Sequence, residues 1–454
     1  MRARHGRLVL KGMTSRLGGL TPPRIIAALL ILAACSPVDN SFHDFSNTGG
    51  ADGAGGNSVS SSSSSSVVTS TATGDPIVSV GVTVTGSGSG GAQPTCTPGG
   101  PDDDVDGDGF TPAQNDCDDC DPNTNPNAVE VQTPKNGVPK DENCNNVIDE
   151  PPDPPCDDDL IIDELDPVKA VHAVDLCKAS TGPKDWGLVE AKWVLADGSA
   201  PPSANIENFH LGHGLLPAFG ANVKVRQGAR LLALSSGTAR QPDDPGYSDV
   251  GGFNKGYECG NPEGFPKESP ACPGTFTGEP HDATGLEVKI RAPSNAHGFS
   301  FDFDFFTYEW PGFICSTYND FFVALLSPFP KGQKDGNVSF DSQGNPVSVN
   351  NAFLEVCGCE GNPPSPCEAG NKMFTCALGN SDLIGTGFGF DFGQDHGSTG
   401  WLQTKAPIDP GSEITLRWAV YDSGDGILDT STLIDHWQWI AAAGITVGTT
   451  PVPK

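Results

Sequence analysis

Apolar and polar positions alternate most clearly between His297 and Leu326. Phe299, Phe301, Phe303 and Phe305 fall on one side of an extended chain, and Ser300, Asp302 and Asp304 on the other. That period of two predicts a half-buried strand. Phe321 to Leu326 is a continuous apolar run, short enough for a strand buried on both faces. An irregular, cysteine-bearing connection joins the two, and the pair predicts the centre of a sheet. Further strands are predicted at Trp186–Leu195, Arg230–Leu234, Leu286–Ile290, Gly387–Phe392, Trp401–Lys405 and Leu433–Ile440. Another follows from the alternation of Ile414, Leu416, Trp418 and Val420. Asn337–Asn351 predicts a hairpin turning at Gly344-Asn345. One short helix is predicted within Leu160–Cys177, where Pro167 suits a first turn and Val168, Val171 and Val174 recur every three residues. Many short strands with one helix predict an all-β, jelly-roll-like β-sandwich over residues 157–450.

The first third of the chain has a different pattern. Residues 1–34 carry Arg2, Arg4, Arg7, Lys11, Arg16 and Arg24, no acidic residue, and the apolar run Ile25–Ala34. That run is too short to span a bilayer and fits a signal-peptide core. Leu32-Ala33-Ala34-Cys35 resembles a bacterial lipobox. The resemblance implies cleavage before Cys35 and lipid attachment to it, and Ser36 in the next place implies the outer membrane. Met13 would give a more typical signal start, and no sorting signal follows Pro451. Residues 35–101 are dominated by Gly, Ser and Thr and contain seven consecutive serines at Ser60–Ser66. So little apolar surface cannot offset the entropy of ordering, so a disordered tether with a reach of about 45 Å is expected.

Charge narrows the partners. The 454 residues contain 26 Lys or Arg against 57 Asp or Glu, a formal net charge of -31. A chain this acidic repels nucleic acid and anionic headgroups and favours cations. Its 14 cysteines suit an oxidising compartment.

The acidic residues concentrate in residues 102–156, where they are patterned. Asp104, Asp106 and Asp108 alternate and Gly109 permits a sharp bend. Alternate carboxylates before a glycine are what a hard cation requires of a short loop. The backbone carbonyl of Phe110, then Asp116 and Asp118, extend the candidate ligand set, although the twelfth position is Asn115 where an EF-hand has glutamate. The segment Asp104–Glu150, with DVDGDGF, NDCDD, NPNAVE and ENCNNVIDE in order, resembles the MopE-type metal-binding motif of extracellular bacterial proteins. It departs from that pattern at Cys120 and at Asn145-Asn146. The resemblance implies a bond between Cys117 and Cys144. All-oxygen ligation selects calcium over copper.

Residues 157–441 resemble the choice-of-anchor L family of bacterial surface proteins. The resemblance rests on NVKVRQGARLLALSSGTAR, FSFDFDFF, YNDFFVALL, GNPVSVNNAF and YDSGDGILDTSTLID. It implies surface attachment and supplies no chemistry. By analogy Cys315 pairs with Cys357. Within the last of these stretches, Asp422, Asp425, Asp429 and Asp435 form a second oxygen-rich segment around two glycines, a candidate second metal site.

Signals of catalysis are weak. There is no GxSxG, HExxH or Walker loop. Asp302 and Asp304 are expected as solvated carboxylates on an open strand face, the arrangement that a glycan-directed hydrolase would use. Tyr308, Trp310, Trp437 and Trp439 are candidate sugar platforms if exposed. The expectation is therefore a lipid-anchored, non-catalytic surface protein, with a calcium-type module and a domain that binds a surface glycan or protein. A glycan hydrolase and a metal-sequestering protein are the alternatives.

Overall fold

The computed structural model describes residues 96–351, 353–358, 367–389 and 396–453. The signal segment, Cys35 and most of the tether lie outside the described residues. Twelve strands build two antiparallel sheets. In chain order they are β1 Gly187–Val194, β2 His213–Leu216, β3 Leu231–Ser235, β4 Pro280–Arg291, β5 Gly298–Thr307 and β6 Phe321–Ser327. Then come β7 Val347–Ser348, β8 Gly397–Ser398, β9 Leu402–Pro407, β10 Glu413–Ser423, β11 Thr430–Ile440 and β12 Gly448–Pro451. One sheet runs β1-β4-β10-β6-β7 and the other β12-β9-β5-β11-β3-β2, with β8 also on β5.

The phenylalanines of β5 explain why the sheets stack. Phe299, Phe301, Phe303 and Phe305 are wholly buried and face the first sheet. Phe303 meets Phe322 of β6 at 4.8 Å between ring centroids, and Phe301 meets Trp418 of β10 edge-on at 5.5 Å. Burying a side chain of this size contributes about 1.5–3 kcal/mol.

The opposite face of β5 is also covered. Phe306, with Leu433 of β11 and Ala233 of β3, packs under Phe219, Val250, Leu383 and Phe388 in a second apolar cluster. The outward residues Asp302 and Asp304 are consequently fully buried, against the expectation that they are solvated. Loops laid over the second sheet are the cause.

Several elements differ from the pattern-based reading. Helix α1 covers only Pro167–His172, because Asp166 caps it by accepting the Val168 N–H. A second six-residue helix, α2, forms at Ile206–Leu211, where no helix is expected from the sequence. The expected hairpin at 337–351 is reduced to a bridge between Phe340 and Pro346, while Val347–Ser348 pairs with β6. Asp341 holds that turn by accepting from Asn345.

Among the described residues, 96–156 contain no strand and a single 3-10 turn at Pro112–Gln114. Disulfides Cys96–Cys120 and Cys117–Cys144 staple this module. Its first residues therefore lie inside the stretch assigned to the tether. Cys156–Cys177 fastens its end to the segment after α1. The module also docks laterally. Asn295 donates to the Val129 carbonyl and accepts the Val129 N–H, at 2.8 and 2.9 Å.

The pairing of Cys315 with Cys357 is corrected. Cys315 is bonded to Cys272, and Cys357 to Cys376. The chain after Cys357 folds back, with the Leu378 N–H on the Glu355 carbonyl and the Cys357 N–H on the Gly379 carbonyl, which brings Cys376 alongside. Cys315 instead lies beneath the 271–275 loop, where Thr275 reaches its carbonyl. Among the described cysteines Cys259 is free. No described helix is long and apolar enough to cross a membrane.

Candidate metal centre and neighbouring cleft

The Asp104–Asp108 loop closes on its own amides. Asp104 accepts from the Gly107 and Gly109 N–H groups, Asp106 from Asp108, and Asp108 from Phe110. Both Gly107 and Gly109 have positive φ, 81° and 94°, so the glycines permit the turn that gathers the side chains. One carboxylate oxygen each from Asp104, Asp106 and Asp108 lies within 4.8 Å of the others. An ion 2.3–2.6 Å from each oxygen requires separations up to about 5 Å, so the three can hold one ion.

Two further observations point the same way. Asp116 is buried beside the triad, and its Oδ2 and that of Asp106 are shielded from water without a hydrogen-bond partner. Burial, followed by the negative charge of Asp108, Asp116 and Asp104, pushes the Asp106 carboxyl up to about 6. Asp108 and Asp116 are also raised, in each case chiefly by burial. A cation would relieve these three shifts together.

Of the other predicted ligands, Asp118 is turned away from the triad and pairs with Lys140, 3.3 Å away. Phe110 stays at the loop, its N–H donating to Asp108 and its ring lying under the Lys184 ammonium at 4.9 Å. Asp119, absent from the predicted set, shapes the loop by accepting the Val105 and Gly99 N–H groups. Asn125 steadies Asp108 by donating to its Oδ2 at 2.7 Å. Their signal in the sequence is slight, because neither lies in the alternating stretch.

The second oxygen-rich segment does not close on itself. Asp422 and Asp429 are buried near the turn between β10 and β11, whereas Asp425 is part-exposed and caps the Ile427 N–H. Asp435 lies five residues along β11 from Thr430, about 17 Å at strand rise. It accepts from the Arg226 and His436 N–H groups, and burial pushes its carboxyl up to about 8. The four aspartates therefore do not share an ion, because β11 carries Asp435 away from the turn.

Asp302 and Asp304 are not open acids. Asp302 accepts from Gln403 at 2.9 Å and pairs with Arg226 and His436, each at 3.1 Å. Burial opposes its charge, yet these partners hold its carboxyl below the usual range. Asp304 accepts from Ser398 of β8 at 2.6 Å. The geometry leaves neither free to meet a substrate. Tyr308, Trp310 and Trp437 are buried as well.

Trp439 is the exception, being only part-buried. With Trp186, Trp437 and Gln227 it lines a cleft of about 620 Å³ between the acidic module and the sandwich. Trp186 and Trp439 meet edge-on at 6.4 Å, and Lys178 stands over the Trp186 ring. Asn143, Glu150 and Asp175 add polar groups to its lining.

Residues 234–437 match the family model described as "Choice-of-anchor L domain", which covers 204 of the 454 residues. That span runs from the end of β3 into β11. No curated protein matches the chain. Among solved structures, the crystal structure of the K2 cleaved adhesin domain of Lys-gingipain is similar over 56% of this chain and 89% of that one, at 11% identity. The TM-score of that match is 0.22.

Proposed function

We propose that this chain is an exported cell-surface protein whose sandwich is a non-catalytic binding or adhesion domain. The observation that carries the reading is the choice-of-anchor L match at residues 234–437. In this reading Cys35 is lipidated, the Gly/Ser/Thr-rich segment tethers the protein to the outer membrane, and residues 96–156 are a spacer organised by calcium. Five disulfides among the described residues suit an oxidising compartment. The oxygen-only donor set of Asp104, Asp106, Asp108 and Asp116 suits calcium rather than copper.

A surface glycan or protein would occupy the Trp186–Trp439 cleft. Aromatic faces beside amide and carboxylate groups suit an amphipathic ligand of that kind. The deciding experiment is fractionation and protease shaving of cells that express the full chain. The unmodified protein is expected in the membrane fraction and accessible to added protease, and Cys35→Ser is expected to be released. A protein found in the cytosol would overturn the reading, and a Cys35→Ser chain that stays with the membrane would overturn the lipid anchor.

A further inference from the structure

The cleft between the acidic module and the sandwich is built around tryptophans set near right angles. Trp437 is fixed from below, because it packs flat on Phe299 at 4.5 Å between ring centroids. Trp439 stands edge-on to Trp437 at 5.2 Å and 84°, and edge-on to Trp186 at 6.4 Å and 81°. The strand that carries this pair bulges between Asp435 and Gln438, with His436 at a φ of 57°. Bulges re-aim the side chains beside them. The Trp437 N–H donates to the Val174 carbonyl at 3.0 Å, which brings the next residue, Asp175, into the same lining. Rings at right angles make a corner, not the single flat face on which a sugar ring stacks.

The charged lining has mostly one sign. Glu130, Glu150, Asp153 and Asp175 line the cleft against one base, Lys178. Lys178 is already engaged, with its ammonium 4.3 Å from the centroid of the Trp186 ring and 2.8 Å from Asp185. The protein thus seats one ammonium of its own on a tryptophan of this cleft, beside a carboxylate. Glu150 can serve a second cation in the same way. Asn143 and Asn145 donate to its Oε1 at 2.7 and 2.5 Å, and its Oε2 has no hydrogen-bond partner. A cation over a tryptophan face is attracted by the ring quadrupole, and more strongly where water is excluded. Gln227 and Gln438 add primary amides, which can meet the N–H and C=O groups of an extended peptide.

We propose that the cleft takes an extended segment of a protein partner that bears arginine or lysine, with the cationic head in the tryptophan corner and the main chain along the glutamines. The proposal rests on the reading of this cleft as the ligand site, and names the occupant. Charge complementarity decides between occupants. An acidic glycan would meet four carboxylates of its own sign, and a neutral glycan would leave them without a counter-charge. A volume of about 620 Å³ exceeds what one ammonium head fills and leaves room for main chain beside it. Arginine suits the corner especially well, since a planar guanidinium can stack on one ring while it donates to a carboxylate.

The test uses the full chain with its disulfides intact. The probes are a blocked peptide Gly-Ser-Arg-Arg-Ser-Gly, its lysine and citrulline counterparts, and the tetramer of N-acetylglucosamine with and without its acetyl groups. Binding is followed by calorimetry and by tryptophan fluorescence. The arginine and lysine peptides should bind, and citrulline should weaken binding by about tenfold or more. Trp439→Ala and Glu150→Gln should each weaken the arginine peptide by about tenfold. Should Trp439→Ala fail to fold, Glu150→Gln, which keeps the shape of the side chain, decides the matter. Equal affinity for the arginine and citrulline peptides would overturn the proposal. So would arginine binding that neither variant changes, since that would be attraction to the acidic surface at large. Tighter binding of the deacetylated tetramer than of the arginine peptide would assign the cleft to an amino sugar and overturn the peptide occupant. Binding of the acetylated tetramer alone, lost in Trp439→Ala, would also overturn the peptide occupant but keep the cleft as a ligand site. No Trp439-dependent binding of any probe would overturn both.

Discussion

The Asn127 side chain accepts the Trp186 N–H at 2.7 Å, and the Asn127 carbonyl accepts the Ser294 N–H at 3.0 Å. One nearly buried asparagine thereby joins the acidic module to the start of β1 and to the loop before β5. Asn127→Ala would leave the part-buried Trp186 N–H without its partner, a cost of about 1 kcal/mol. The loss should fall on docking of the module, not on the sandwich core. Hydrogen exchange should show faster opening at residues 125–129 and 184–188, with β5 and β11 unchanged. Uniform exchange across both regions would mean that the module is held elsewhere.

The disulfide framework gives a direct check. Peptide mapping without reduction should recover Cys272 with Cys315 and Cys357 with Cys376. A Cys315–Cys357 peptide would contradict the fold of the 357–379 segment.

Period two placed β5 and β10, and a short continuous apolar run placed β6, because each of these signals is local to its strand. Period two misjudged the outer side of β5, since a serine and two aspartates normally face water. They are covered here because residues 216–250 and 383–388 form a second apolar layer, and nothing within β5 itself reports that. Asp104, Asp106 and Asp108 were legible as a carboxylate cluster able to hold an ion, because their spacing is local. The positions of Cys315 and Cys357 in the chain say nothing of the loops that bring Cys272 and Cys376 to them.

Phe303 tests the core. It is fully buried and its ring meets Phe322 of the facing sheet. Phe303→Ala should destabilise the sandwich by about 3–5 kcal/mol, through lost burial and a residual cavity. Chemical denaturation should show a lower midpoint with little change in slope. A loss below about 1 kcal/mol would mean that the sheets do not meet at this residue.

Asp302 should prove structural. Its carboxylate is wholly buried and receives Gln403, Arg226 and His436. Asp302→Asn keeps one acceptor oxygen but removes the negative charge beside the Arg226 guanidinium and the His436 imidazole, a loss of about 1–3 kcal/mol. The folded carboxyl is held below its usual value, so its contribution is present above the unfolded pKa. It is lost as pH falls through the folded value. The unmodified chain should therefore lose stability toward strongly acid pH, and Asp302→Asn should flatten that slope. Parallel pH profiles for the two chains would remove Asp302 from the account.

Calcium binding at the Asp104 loop should depend on pH with a definite sign. Without an ion, the Asp106 carboxyl is raised from 3.8 to about 6 by burial and then by neighbouring charge. The folded apo loop thus keeps a proton that the unfolded chain has already lost, and its stability falls as pH rises through that window. Calcium reverses the slope, because it takes the place of the proton and needs the carboxylates ionised. At a hundredfold excess over its dissociation constant, an ion bound only by the folded form stabilises it by about 2.7 kcal/mol. The calcium-induced rise in melting temperature should therefore be full at pH 7.5 and much reduced at pH 5. Calorimetry near pH 6, in two buffers of different ionisation enthalpy, should detect proton release on binding. Asp106→Asn should weaken calcium binding and abolish most of that release, and Asp118→Asn should change neither, since Asp118 is paired with Lys140. If Asp118→Asn weakens binding as much as Asp106→Asn, the ion sits nearer to the Cys117–Cys120 turn than the Asp104–Asp108 geometry implies.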